Sequence, residues 1–304
     1  KGFYAVFAYH CSYSKRKSGV MQLRILFLLT LVGLNYPLFG QVSLTGISVN
    51  HVPIVVSNLQ QVKTVFADLG FKIKNGREHE GINNCFTKFQ DGTYLEFIEP
   101  MNNKLSIGKY YTDFLKKKQG ATALAIDVQS TEAAKLFLSK QNVRYTTDSN
   151  SIWQTINPEI KGTELFYIEY ANKNWKDTKE NTTHPNSTLQ LNTTWFLTKN
   201  LKESIKKYNN LGFESEGKSV HFGMKAHTLR LAKNKLILLE ASPKLPSYIT
   251  NKSLEGICGF TIKTSSVDSV RKFFKDKPQQ MIVANQKQTL VYFSEYNFFI
   301  EFVE

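Results

Sequence analysis

Two stretches of this chain, 142 residues apart, carry nearly the same pattern. The first reads Asn50-His51-Val52-Pro53-Ile54-Val55-Val56-Ser57-Asn58-Leu59 and, after a helical stretch, closes on Leu69-Gly70-Phe71. The second reads Asn192-Thr193-Thr194-Trp195-Phe196-Leu197-Thr198-Lys199-Asn200-Leu201 and closes on Leu211-Gly212-Phe213. Looser copies begin near Ala121 and Ile257. Periodicity of this kind sets the architecture before any single motif does, because one unit alone cannot bury its apolar face.

Each copy runs strand, helix, then further strands. In the first, Val52 to Val56 is a β-branched run, and Asn58 stands where a helix N-cap belongs. Leu59, Val62, Val65, Phe66 and Leu69 recur at helical spacing, and Gly70 sits where the helix would end in positive φ. Asp91-Gly92 between apolar runs predicts a hairpin leading into Tyr94 to Ile98. The other copies predict helices over 131–140, over 201–211, and from Val267 to a stop near Pro278. Their last strands are 165–169, 236–240 and 298–303. The fold class is therefore α+β, with four βαβββ modules.

Residues 1–40 lack Asp and Glu, carry Lys15, Arg16, Lys17 and Arg24, and then run apolar from Ile25 to Leu34. A basic flank, a short apolar run and Gly40 before Gln41 predict a signal peptide over 21–40, with 1–20 upstream of Met21. Export then places the mature chain in the periplasm or outside the cell, with no stable membrane span, since a span needs roughly 20 apolar residues. Five charges of the formal +14 lie in residues 1–40, leaving +9 on the rest. The remaining lysines are scattered rather than gathered into a basic face with interleaved aromatics, so no nucleic-acid partner is expected. Cys85 and Cys258 fall at unrelated places in their copies and read as buried free thiols. Composition divides the mature chain into 44–171, a polar linker 172–187, and 188–304.

The βαβββ units resemble modules of the vicinal oxygen chelate superfamily. Within it they are similar to the glyoxalase-like domain family. The stretches that carry the likeness are Asn50 to Val56, Leu69-Gly70-Phe71, His79-Glu80-Gly81-Ile82-Asn83-Asn84, Tyr94-Leu95-Glu96-Phe97-Ile98, Leu165 to Glu169, and His184-Pro185-Asn186. The resemblance implies two paired-module barrels, each curled around a cleft. It also implies a divalent metal (Zn, Fe, Ni, Co or Mn) that polarises a small oxygenated substrate as a Lewis acid.

The same resemblance carries the metal-ligand role onto His51 in the first strand and Glu96 in the last strand of copy one. Glu96 lies between Leu95 and Phe97, so it shares a face with Tyr94 and Ile98. The matching positions elsewhere are Thr122 or Ala123, Thr193 and Gly259 for the histidine, and Phe166, Ile237 and Glu301 for the glutamate. A secure site needs about three protein ligands, and copy one supplies two. Glu169 is a candidate third ligand or general base if its strand carries a bulge, alongside Glu96 as base. His79 and His184 are further candidate third ligands, and with Asn84 they are candidate substrate-binding residues. Two functions follow. One is a metal-dependent lyase, isomerase or dioxygenase. The other is a degenerate binding protein that holds a small molecule without metal or turnover.

Overall fold

The computed structural model describes residues 44–304 apart from 45, 163, 175, 251–254 and 277–279, so the leader, Trp175 and Pro278 lie outside the described residues. The order strand, helix, three strands occurs four times. The first unit holds β1 (Ser48–Val55), α1 (Leu59–Asp68), β2 (Lys74–Asn75), β3 (Ile82–Lys88) and β4 (Tyr94–Pro100). After α2 (Ser106–Leu115) and β5 (Gly120–Ala121), the second holds β6 (Leu124–Asp127), α3 (Thr131–Lys140), β7 (Tyr145–Ser149), β8 (Trp153–Pro158) and β9 (Leu165–Tyr170). A short α4 (Lys179–Thr182) leads to the third, β10 (Thr188–Thr198), α5 (Leu201–Asn209), β11 (Glu214–His221), β12 (Met224–Leu231) and β13 (Asn234–Glu240). Beyond α6 (Ser247–Thr250) the fourth comprises β14 (Gly256–Thr264), α7 (Val267–Phe274), β15 (Gln280–Asn285), β16 (Gln288–Phe293) and β17 (Phe298–Val303).

The repeat is written most clearly at the helix starts. Asn58, Ser130, Asn200 and Ser266 each accept, through the side chain, the backbone N–H three residues on, at 2.9, 3.3, 3.1 and 3.1 Å. That satisfies one of the donors a helix N-terminus leaves unpaired. A second device comes from the last strand of the unit. Glu99, Glu169 and Glu304 accept the first helical N–H of Leu59, Thr131 and Val267 at 3.3, 2.7 and 3.0 Å. A carboxylate at that end also complements the helix dipole. Gly70 takes φ +79, as its place after α1 demands, and a Cβ there would press on Asn186 and Phe273 at 3.0 Å.

Two mixed sheets result among the described residues. The first runs β2-β3-β4-β1-β6-β9-β8-β7, with β5 beside β1; the second runs β11-β12-β13-β10-β14-β17-β16-β15. At each centre two units meet antiparallel, β1 with β6 and β10 with β14, while each first strand lies parallel to its own last strand. The expected paired-module barrels are corrected here: the sheets are open. In the first, the ends are β2, only two residues long, and β7, a mostly exposed Tyr-Thr-Thr-Asp-Ser strand, and the two do not pair.

One face of each sheet meets a shared core. Val52 and Ile54 of β1 enter it with Phe66 of α1, Phe260 of β14 and Phe302 of β17. Phe66 stacks on Phe293 with centroids 5.3 Å apart, and Tyr167 donates its hydroxyl to Leu211 O at 2.8 Å. Each large side chain removed from water there contributes roughly 2–3 kcal/mol. Cys85 and Cys258 are free and buried. Burial pushes the Cys85 thiol up to about 12, which makes it inert.

Candidate functional site

The other face of the first sheet forms a cleft of about 2130 Å³. Strand alternation decides which residues line it. On β3 these are Asn84, Phe86 and Lys88; on β4, Tyr94, Glu96 and Ile98; on β9, Phe166, Ile168 and Tyr170. His51 comes from β1, and α2 adds Tyr110 and Tyr111 at the edge.

The structure brings His51 and Glu96 together at the cleft wall. His51 Nε2 lies 3.3 Å from Glu96 Oε2, and His51 Nδ1 lies 2.7 Å from Asn50 Oδ1. Asn84 donates from Nδ2 to Glu96 Oε1 at 2.8 Å, while its own Oδ1 accepts the Arg77 N–H at 3.1 Å. Asn84 therefore orients Glu96. Burial holds the His51 imidazole below its ordinary value, outweighing the upward pull of Glu96. Burial alone would raise Glu96, but the hydrogen bond and charge of His51, the Asn84 amide and the Lys88 charge together hold it below the usual carboxylate range. A neutral imidazole has one N–H, so it can donate to Asn50 or to Glu96 but not to both. A proton received from a bound molecule would satisfy both oxygens.

Tyr94, which alternation puts on the face of Glu96, and Lys88 complete the wall. Tyr94 stacks on His51 with centroids 4.5 Å apart, and its hydroxyl lies 2.9 Å from that of Tyr170. Lys88 Nζ lies 3.3 Å from the centre of the same Tyr94 ring and 3.5 Å from Asp177 Oδ2. Burial lowers Lys88 to about 8, against the opposing pull of Asp177 and Glu96. Once Glu96 is taken to face the cleft, the period of two places Lys88, Phe86 and Tyr94 beside it. That signal was available in the sequence.

Three of the other expected residues are placed as follows. His79 lines the rim, its Nδ1 3.1 Å from Arg77 O. His184 is buried away from the cleft wall, accepting Lys72 N–H on Nδ1 at 2.9 Å, with Nε2 2.8 Å from Lys88 O. Its two ring nitrogens thus tie backbone to backbone, and burial lowers it to about 4. Glu169 needed a bulge to face the cleft, and none exists: β9 pairs in continuous register with β6 and β8. Its carboxylate instead holds the start of α3 through the N–H and hydroxyl of Thr131, with Lys173 at 2.9 Å.

The donor set decides whether a metal fits. Two ligands about 2.1 Å from one ion at near-right angles stand roughly 3.0–3.4 Å apart, and the His51–Glu96 separation of 3.3 Å meets that. The set stops there. No group of three or more His, Cys, Asp or Glu that could hold an ion occurs among the described residues. Where the second unit would supply its last-strand ligand stands Phe166, edge-on to His51 at 5.9 Å. The described residues do not make a protein-held metal site.

A sequence model described as a glyoxalase-like domain matches residues 49–212. No curated protein sequence matches the chain. Among solved structures, a hypothetical protein from Staphylococcus aureus superposes with TM-score 0.59 at 13% identity, over 84% of this chain and 98% of its own. A fusion of a xylose isomerase-like TIM barrel with a 4-hydroxyphenylpyruvate dioxygenase superposes with TM-score 0.58 at 12% identity, over 84% of this chain and 48% of its own. At these identities the likeness is one of fold.

Proposed function

We propose that this chain, which belongs to the glyoxalase-like domain family, holds a small oxygenated molecule in the cleft of its first sheet, without a resident metal. The observation that carries this reading is the His51–Glu96 contact at 3.3 Å, buried in a cleft wall and oriented by Asn84. A buried carboxylate, paired with an imidazole short of one proton, is held where a ligand hydroxyl can donate to it. Phe86, Phe166 and Ile168 supply the apolar contact that such sites combine with a few fixed polar groups. The pair also has the composition of a general base, and a bound carbon or oxygen acid within reach could pass it a proton. The basic and apolar leader supports export, so the ligand belongs among periplasmic or extracellular small molecules.

The test is a screen of small hydroxy and oxo compounds by ¹H–¹⁵N NMR on the mature chain. Shifts grouped on β1, β3, β4 and β9, and weakened at least tenfold in affinity by Glu96→Gln, are expected. Shifts grouped on the second sheet, or unaffected by Glu96→Gln, would refute the assignment.

A further inference from the structure

Resting on that reading of the first sheet's cleft, we propose that the ligand is an organic acid with a flat apolar body. Its carboxylate is bound by Lys88 and Lys74, in the place that Asp177 now takes. The Asp177 carboxylate lies between the two ammonium groups, in contact with Lys74 and 3.5 Å from Lys88. All three line the cleft, and the side chains of Lys88 and Asp177 are only 15% and 13% exposed. Withdrawing a lysine from water is costly unless an anion compensates. Asp177 compensates Lys88 here, but it does so from an unpaired segment ahead of α4 rather than from the sheet. The two lysines, by contrast, sit on β2 and β3. Both cations of this arrangement are carried on the sheet, and its anion on the segment ahead of α4.

The location makes this more than a structural ion pair. Lys88 rests on the Tyr94 ring, which in turn stacks on His51, so the ammonium stands beside the His51–Glu96 pair. An acid whose carboxylate meets Lys88 therefore places its body beside Phe86, on the wall of the same cleft. A second polar group on that body would point toward Glu96. The charged groups facing Lys88 are Asp177 and Glu96, which favour its protonation, and Lys74, which opposes it. Lys88 is lowered to about 8, so its charge is present at neutral pH and is lost as pH rises through that value.

The probe is benzoate, with benzyl alcohol as a body of the same size lacking the charge, both titrated calorimetrically into the mature chain at pH 7. Benzoate is expected to bind about tenfold more tightly than benzyl alcohol, a difference of about 1.4 kcal/mol. Asp177→Asn removes the competing carboxylate and should tighten benzoate about tenfold further, with benzyl alcohol unchanged. Lys88→Met should abolish the preference, and Lys88→Arg, which keeps the charge, should retain it. Benzoate affinity should also fall as pH rises through about 8. Equal affinity for the two probes, or no tightening in Asp177→Asn, overturns the inference and leaves the small-molecule cleft standing. Absence of benzoate binding to wild type and Asp177→Asn likewise overturns the inference, while the NMR screen with Glu96→Gln decides the cleft itself.

Discussion

The two sheets are built to one plan and used in opposite ways. In the first, the face away from the shared core is a cleft with an imidazole–carboxylate pair on its wall. In the second, the corresponding face is filled. Trp195, Leu239, Ile249 and Phe299 are buried there, with Phe222 and Tyr248 packed against them. Phe299 lies 5.6 Å from Trp195 and 6.1 Å from Phe222.

The glutamates make the contrast sharp. Glu301 pairs across to Thr261 in the fourth unit, and Glu96 pairs across to Pro53 in the first, at the same place in the parallel register. Glu96 faces His51, and Lys88 lies close enough to hold its carboxyl down. Glu301 meets neutral donors instead, the Thr261 hydroxyl at 2.6 Å and the Gln288 amide, and burial raises its carboxyl. Where His51 would recur stands Gly259, whose missing side chain is replaced by the Phe299 ring: a Cβ there would come within 2.4 Å of it. One copy keeps charge in a cavity, and the other has converted the same positions to core.

The largest effect expected from this difference is on packing. Phe299→Ala should destabilise the chain by about 3–5 kcal/mol, whereas Phe166→Ala, in the wall of the open cleft, should cost only about 1 kcal/mol. Chemical denaturation of the two variants makes the comparison, and equal losses would erase the distinction between filled and open faces.

Next in size is a pH effect confined to the first half. His184 is lowered from 6.5 to about 4, so folding favours its neutral form. That contribution is complete above about 6.5 and is lost as pH falls through about 4, a change of roughly 3 kcal/mol. Denaturation midpoints measured from pH 7 to pH 4 should fall steeply in wild type and less so in His184→Gln. Parallel curves would remove His184 from the account.

Smaller again is the effect of neutralising each glutamate. Glu301→Gln should leave stability within about 1 kcal/mol, because Glu301 meets neutral donors, the Thr261 hydroxyl and the Gln288 amide. Glu96→Gln removes the charge that pulls His51 upward, so the imidazole should titrate at lower pH than in wild type. NMR titration of His51 reads this directly, and an unchanged value would uncouple the pair. Of similar size are the helix caps: Asn58→Ala and Asn200→Ala should each cost about 1 kcal/mol, equally in both halves, because the repeat is intact there.

The parts legible in the sequence were those that the repeat wrote more than once. Asn58, Gly70 and the stripe through Leu59, Val62 and Phe66 announced α1, and α3 spans the predicted 131–140. Glu96 was placed correctly by alternation with Leu95 and Phe97. The connecting helix α2 was not anticipated, since it belongs to no repeat. Glu169 and His184 stay out of the cleft lining for a shared reason. A carboxylate at a strand end and a histidine in a polar segment look available in sequence, but both are consumed by backbone hydrogen bonds. Asp177 escaped notice because its partners, Lys74 and Lys88, are separated from it by about a hundred residues of chain.

The most direct measurement is calorimetric titration of Zn²⁺ and Mn²⁺ into the chain beginning at Gln41 and into a His51→Ala/Glu96→Ala double variant, with elemental analysis of both as purified. The account predicts no saturable one-to-one binding that distinguishes wild type from the variant, and no bound ion lost on substitution. One ion per chain, held by wild type and lost in the variant, would contradict it and return His51 and Glu96 to the service of a metal.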